Sequence, residues 1–467
     1  MTQSITRPDA EQRQADAALV SSVEQALAME RLHRIADPEE RLAYYQDTVS
    51  EDVYNLGIAN NVLLFDLLDE NVFSRIELRE KDAKYASPPY GAQSLLDVVT
   101  AFLRPRFSAG IDPKFDVYAT AGGSGALECL AFGLIHGGVL KPGDRVMLPA
   151  PFWPGFLWCF QQRPGLQCVP VRLDGADHLT LTVDALQHAY DAASEPKPKL
   201  LVLTNPHNPL GVNYSEELLD DVCRWALDKQ MHIVSDEIYS YSQSTGTDGF
   251  HSVLSTRAYA TDPDRIHLVY GLTKDFGLSG FRIGFLVSKS NDVRRVMQGD
   301  ETLKSLTWFG PLDSLKSAYV RKLFLTDDGK PSDFPKTLMA DYAGRLETAF
   351  DRTAAKLGEH GIRYVGDDGK PGDRNAAQFF LLDLSAHLDK AFPPDLVPIN
   401  HEIDQREALL GAYLLKDAKV SLLPGGEMHC PRPGYFRMCY TADTTDRVEK
   451  AVDAMAASLA KLKPAKA

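Results

Sequence analysis

Between residues 116 and 288, short apolar runs alternate with amphipathic segments: Asp116–Thr120, Arg145–Pro149, Lys199–Thr204, His232–Ser235, Ile266–Tyr270 and Ile283–Ser288. Strands this short, separated by helices, predict a mainly parallel sheet covered on both faces, the α/β class. One connecting segment, YSEELLDDVCRWALDKQ, shows why these links are helical. Ser215 stands at the N-cap position, Glu216 and Glu217 fall in the first turn, and Leu218, Leu219, Val222, Trp225 and Ala226 line one face. Further along, LTDDGKPSDFPK at 325–336 reads as a linker. A long helix, the run Gln378–Leu384, another helix and the strand-like YFRMCYT follow it, predicting a smaller α+β domain. The expected division is an N-terminal helical arm over 1–45, the N-terminal part of the small domain over 46–100, a large domain over 101–325 and a C-terminal small domain over 335–467. A chain of 467 residues is long enough for two such cores.

In an open α/β sheet, ligands bind beyond the carboxyl ends of the strands. Here those ends carry TAGGSGALE, PAPFWPGF, TNPHNPLG, SDEIY and YGLTKDFGLSGFRIG. Gly122, Gly123 and Gly125 let the backbone approach a ligand, and the amides of Gly123 and Ser124 point at an anion on a helix N-terminus; a plain strand-to-helix turn is the other reading. Lys274 ends a strand among apolar and small neighbours, a setting that depresses an amine pKa and suits a Schiff-base nucleophile, whereas two surface cations remain the alternative for Lys274 and Arg282. Arg282 offers a bidentate fork for a phosphate. Asp236 closes an apolar strand, where a carboxylate needs a cation, such as a protonated pyridine nitrogen, or serves as an N-cap. Asn205 offers a side-chain donor in a Pro-fixed turn, and Trp153 a flat face for a heteroaromatic ring or for the core. Arg437, inside an apolar strand, asks for a carboxylate, from a substrate or from a structural salt bridge.

Composition narrows the partners. A formal charge of -14 argues against nucleic acid or an anionic membrane as the main partner, because both demand a basic face, and no stretch approaches the roughly 20 apolar residues that span a bilayer. The six cysteines are spread without a CxxC pair, so reduced, buried thiols are expected and no metal. MTQSITRPDAEQRQAD lacks the apolar core of a signal peptide, and a cytoplasmic location is expected.

Taken in order, GGSGALE, PFWPGF, NPHNPLG, SDEIY, LTKDFGLSGFRIG and GYFRMCYT resemble the signature blocks of fold-type I class I/II aminotransferases. LGIANNVLLFDLL, NPLG, TKDFGLSGFRIG and PGGEMHCPRPGYFRMCY are similar, more narrowly, to the 1-aminocyclopropane-1-carboxylate (ACC) synthase branch. The likeness spans about residues 54–441. It implies the aspartate aminotransferase-like fold, with a large domain that binds pyridoxal 5'-phosphate, and a homodimer with a shared site. It further implies that Lys274 holds the cofactor covalently and moves the Cα proton. Asp236 would pair with the pyridine nitrogen, Asn205 and Tyr239 would bond the ring oxygen, and Trp153 would stack on the ring. Gly123, Ser124 and Arg282 would take the phosphate, with a tyrosine from the second subunit, Tyr90 or Tyr85. Arg437 would take the substrate α-carboxylate, and Ala59 and Asn60 would lie near the substrate side chain.

Two departures bear on the chemistry. Gly271 stands where the family commonly has a phosphate-binding serine three residues before the lysine, and Thr273 is the candidate to compensate. Asn60 replaces the glutamate of the synthase branch, removing a carboxylate beside the substrate. The resemblance implies an enzyme acting on an α-amino acid through Cα deprotonation. S-adenosylmethionine or another substrate with a γ-leaving group is expected, with γ-elimination, γ-substitution or carbon–carbon bond formation to a second substrate. The alternative is amino transfer to a 2-oxo acid. A non-catalytic regulator is disfavoured by the presence of Lys274, Asp236 and Arg282 together.

Overall fold

The computed structural model describes residues 52–84, 91–107, 110–112, 116–175, 178–244, 249–299, 313–366, 376–400 and 402–464. The proposed arm over 1–45, and both Tyr85 and Tyr90, lie outside the described residues.

The apolar runs form one seven-stranded sheet: β1 Val117–Thr120, β2 Arg145–Pro149, β3 Gln167–Val171, β4 Leu200–Thr204, β5 His232–Asp236, β6 Ile266–Gly271 and β7 Gly284–Val287. Their order across the sheet is β1-β7-β6-β5-β4-β2-β3, and β7 alone runs against its neighbours. The inner strands β4, β5 and β6 are buried along their whole length, as a parallel sheet covered on both faces requires. β3 went unrecognised in the sequence because QCVPV contains a proline and buries only its last residue; it is an edge strand, where a missing N–H is tolerated.

Two helices define how the sheet is covered. Helix α1, Gly122–His136, leaves β1 directly and packs on β7. Helix α2, Glu216–Asp228, starts as expected, with the Ser215 side chain accepting from the Leu218 amide and with Leu219, Val222, Trp225 and Ala226 buried. The segment expected to be a linker is a tight turn closed by a Leu325–Pro331 bridge, and it feeds the 26-residue helix α3, Phe334–Glu359. A second, antiparallel sheet follows: β8 Arg363–Tyr364, β9 Phe379–Asp383, β10 Leu423–Pro424 and β11 Tyr435–Cys439, in the order β10-β11-β9-β8. Helix α4, Thr445–Lys461, packs on α3.

The N-terminal segment belongs with this second sheet. Tyr54–Asn55 pairs in parallel with Val420–Ser421, the Cys439 amide donates to the Leu56 carbonyl at 2.8 Å, and the Val62 amide donates to the Thr441 carbonyl at 2.9 Å. Residues 56–62 are thereby laid along the end of β11, facing the carboxyl edge of the large sheet.

The tightest join lies where β7 meets α1. A Cβ at Gly284 would fall 2.3 Å from the Gly122 carbonyl carbon, so the two backbones touch and only glycine fits. Gly284→Ala is expected to cost about 1–3 kcal/mol in urea unfolding. Gly280→Ala, whose Cβ would meet nothing within 4 Å, is expected to change stability by less than about 0.5 kcal/mol. Equal effects for the two would contradict this packing.

Candidate active site

Because β7 is antiparallel, its first residue shares an edge with the last residues of β1, β4, β5 and β6. The loops at that edge converge on one cavity, lined by Ala59, Gly123, Ser124, Leu127, Trp153, Asn208, Asp236, Ile238, Tyr239, Thr273, Lys274, Arg282 and Arg437. A roomier groove around Phe65 and Gly344 is more open, and its cation Arg345 is already paired with Asp66 and Asp341, each at 2.6 Å. Of these two, the cavity at the sheet edge holds the unpartnered polar atoms, on Asp236, Thr273 and Arg437.

Its anion-binding corner is built from glycine and arginine together. Ala121 gives α1 no side-chain cap, so the first-turn amides are left to a ligand. A Cβ at Gly122 would lie 2.6 Å from the Arg282 guanidinium, so the glycine is what lets that cation sit against the helix start. Arg282 adopts a left-handed backbone, φ 52°, an arrangement costing roughly 1–2 kcal/mol outside glycine, and donates to the Ser279 carbonyl at 3.0 Å. The Thr273 hydroxyl is buried without a partner and lines the same cavity. At Gly271, a Cβ would stand 2.9 Å from the Ile283 carbonyl oxygen, so a serine there would have to displace the backbone of the neighbouring strand.

Lys274 follows β6 and is half-buried. Its amine donates to the Ala59 carbonyl at 2.5 Å. Burial lowers its pKa to about 8, with Arg437 and Arg282 pushing the same way and Asp236 opposing. Asp236 ends β5, and burial raises its carboxyl to about 7 against the Ile238 amide and Lys274. One of its oxygens, Oδ1, is buried with no partner, so the carboxyl awaits a donor.

Arg437 on β11 is 3% exposed, donates to Asn208 Oδ1 at 3.0 Å and to the Gly57 carbonyl at 2.6 Å, and lies 4.5 Å above the Phe379 ring. Its Nε has no partner, and among the described residues no carboxylate pairs with it. Among the described residues Arg437 is therefore a buried cation that lines the cavity without an ion-pair partner. Tyr239, also buried, meets Phe379 edge-on at 5.2 Å. Trp153 borders the opposite wall, and a Cβ at Gly155 would lie 2.1 Å from its indole, so Gly155 makes room for the ring.

Ten of the residues singled out from sequence thus surround one cavity: Ala59, Gly123, Ser124, Trp153, Asp236, Tyr239, Thr273, Lys274, Arg282 and Arg437. Asn205 does not join them. It still belongs to the sheet edge, its amide donating to the Asp236 carbonyl, its Nδ2 to the His251 carbonyl at 2.7 Å, and its Oδ1 accepting from the Tyr214 amide at 3.0 Å. The second asparagine of NPHNPLG, Asn208, lines the cavity instead. Only its greater distance from the strand end distinguished the two in sequence. Asn60 is likewise absent from the wall; its carbonyl accepts from Thr441 Oγ1 at 2.7 Å, and Ala59 beside it faces the cavity.

These electrostatics predict a titration. In cofactor-free protein, modification of Lys274 by an aldehyde reagent, followed by mass spectrometry, should show a midpoint near pH 8 rather than the ordinary lysine value of about 10.4. Asp236→Asn removes a carboxylate that stabilises the ammonium form, so the midpoint should fall further. A midpoint near 10 in the parent protein, or a rise in the variant, would contradict the burial and charge pattern.

Comparison with known proteins agrees with this geometry. The sequence profile of the family described as aminotransferase class I and II matches residues 52–455. The chain is 29% identical over 420 residues to 1-aminocyclopropane-1-carboxylate synthase 5 of Oryza sativa subsp. japonica, covering 86% of this chain and 72% of that protein. It is equally 29% identical over 422 residues to the protein of Arabidopsis thaliana named probable aminotransferase ACS12, covering 87% and 77%. Among solved structures, a Thermus thermophilus aspartate aminotransferase bound to maleate matches with a TM-score of 0.64 at 21% identity, covering 97% of this chain and 100% of the other. The aromatic aminotransferase of Pyrococcus horikoshii OT3 matches with a TM-score of 0.65 at 20% identity, covering 91% and 98%, and both share the fold. The chain therefore belongs to the aminotransferase class I and II family and is a pyridoxal 5'-phosphate-dependent enzyme.

Proposed function

We propose that this enzyme deprotonates an α-amino acid at Cα and expels a γ-leaving group, as from S-adenosylmethionine, in an ACC synthase-like reaction. The observation that carries the amino-acid part is Arg437, a buried cation without a carboxylate that opens onto the same cavity as Lys274 and Asp236. Similarity to ACC synthases over most of the chain supports the leaving-group chemistry.

The residues present fit the cofactor. Asp236 Oδ1 and the Thr273 hydroxyl are buried donors' or acceptors' sites left unmet, and the Gly122–Arg282 cradle is shaped for a phosphate. When bound, pyridoxal 5'-phosphate supplies an electron-withdrawing ring that stabilises negative charge at the substrate Cα. We assign Lys274 to hold the cofactor and then carry the Cα proton, a task suited to an amine whose pKa lies near 8. Asp236 would keep a proton on the ring nitrogen. Gly123, Ser124, Thr273 and Arg282 would hold the phosphate, Trp153 would pack on the ring, and Tyr239 and Asn208 would bond the ring oxygen, Asn208 in place of Asn205. Arg437 orients the α-carboxylate. Ala59 borders the substrate while Asn60 lies outside the wall, and among the described residues no carboxylate but Asp236 lines the cavity to serve cyclopropane closure, which favours γ-substitution or carbon–carbon bond formation with a second substrate. We further read the chain as a large lobe and a small lobe divided near 325–335, acting as a homodimer in the cytoplasm.

Amino transfer to a 2-oxo acid is the second reading, favoured by the equal identity to the Arabidopsis protein named a probable aminotransferase. Incubation with S-adenosylmethionine should release methylthioadenosine, with or without an added nucleophile. No release, together with rapid conversion of the bound cofactor to pyridoxamine phosphate by a plain amino acid and its reversal by a 2-oxo acid, would replace the first reading with the second. Arg437→Leu should raise KM for the amino acid about 10–100-fold while the visible absorbance of bound cofactor persists. An unchanged KM would remove Arg437 from the carboxylate site.

A further inference from the structure

A lysine amine sits on a flexible four-carbon stem, so its aim depends on how firmly its own backbone is held. The Lys274 carbonyl receives three donors. The Gly277 amide at 3.1 Å comes from the same turn. The other two come from far along the chain: Asn61 Nδ2 at 2.9 Å and Gln378 Nε2 at 3.1 Å.

Both side chains are buried and both are fixed in turn. Asn61 Oδ1 accepts from the Leu63 amide at 3.1 Å, and its Nδ2 also reaches the Asp275 carbonyl at 3.3 Å. Gln378 Nε2, beside β9, also donates to the Tyr342 hydroxyl of α3 at 2.8 Å and lies 3.3 Å from Ser242 Oγ. Ser242 then donates to Asp275 Oδ1 at 2.7 Å, next to the lysine. The approach of Asn61 is so close that a Cβ at Gly277, φ 69°, would lie 2.3 Å from the Asn61 carbonyl oxygen. The segment carrying Asn61 also supplies the Ala59 carbonyl that receives the lysine amine.

We propose that Asn61 and Gln378 are positioning residues that clamp the Lys274 backbone from two sides. The N-terminal segment and the second sheet thereby set the aim of an amine carried by the large sheet. Neither residue lines the cavity, so each acts through Lys274 and not by touching substrate. The inference rests on the reading that Lys274 moves the Cα proton, where small displacements cost rate more than binding.

The variants Asn61→Ala and Gln378→Met each remove one donor, the second with little change of shape. In cofactor-free protein, amide hydrogen exchange of the 272–278 segment should speed up about 10-fold or more in each, with α2 unchanged. In the loaded enzyme, kcat should fall about 10-fold or more while KM changes less than about 3-fold and visible absorbance persists. The double variant should cost less than the product of the single effects, because both donors serve one carbonyl. Unchanged exchange and kcat would overturn the proposal. So would general loss of fold in both variants, or parallel changes in kcat and KM, either of which marks a purely structural role. Full turnover by Lys274→Ala would instead sink the underlying reading of the lysine, and the exchange result in cofactor-free protein would still stand.

Discussion

Gathering Lys274, Arg282 and Arg437 around one cavity is the constraint on which the site depends, with Arg437 buried and the other two half-buried. Each cation is at least partly shielded from water, and among the described residues Asp236 is the one acidic side chain in the wall. In a medium of low dielectric such an arrangement is costly unless anions arrive. Its responses are visible throughout: an amine pushed down to about 8, a carboxyl pushed up to about 7, and unpartnered atoms on Asp236, Thr273 and Arg437. A phosphate and an α-carboxylate are the two anions that would complete it, one at Arg282 just before β7 and one at Arg437 on β11. The fold's role is to hold these cations apart and pointed inward.

The large sheet was legible because its inner strands are mostly apolar runs and their ends break abruptly into Gly, Pro and polar residues. Five loops in order predicted where the site would be, since parallel strands put their ends on one edge. The helix starting at Ser215 was legible for a local reason, a cap and an apolar face within one segment. The edge strand with Pro170 was not, because an edge strand has neither the burial nor the composition that marks an inner one.

Within the site, residues on strand ends were found and residues defined by long-range contact were missed. Asn205 and Asn208 share one motif, and the backbone and side-chain hydrogen bonds that commit Asn205 to the sheet edge are invisible without neighbours from residues 214, 236 and 251. Asn61 and Gln378 reach Lys274 across 213 and 104 residues of sequence, so no local pattern announces them. The change at Gly271 reads in sequence as a lost phosphate ligand. In the structure it is also a packing requirement, because the backbone at Ile283 occupies the space a side chain would need, while the free hydroxyl of Thr273 faces the cavity.

Covalent attachment of the cofactor to one amine is what unites the sheet edge, the cation arrangement and the proposed proton transfer. Borohydride reduction of the protein loaded with pyridoxal 5'-phosphate, followed by peptide mass spectrometry, reads that attachment directly. A single phosphopyridoxyl label on the peptide containing Lys274 is the predicted result. A label on another lysine, or none on a protein saturated with cofactor, would contradict it.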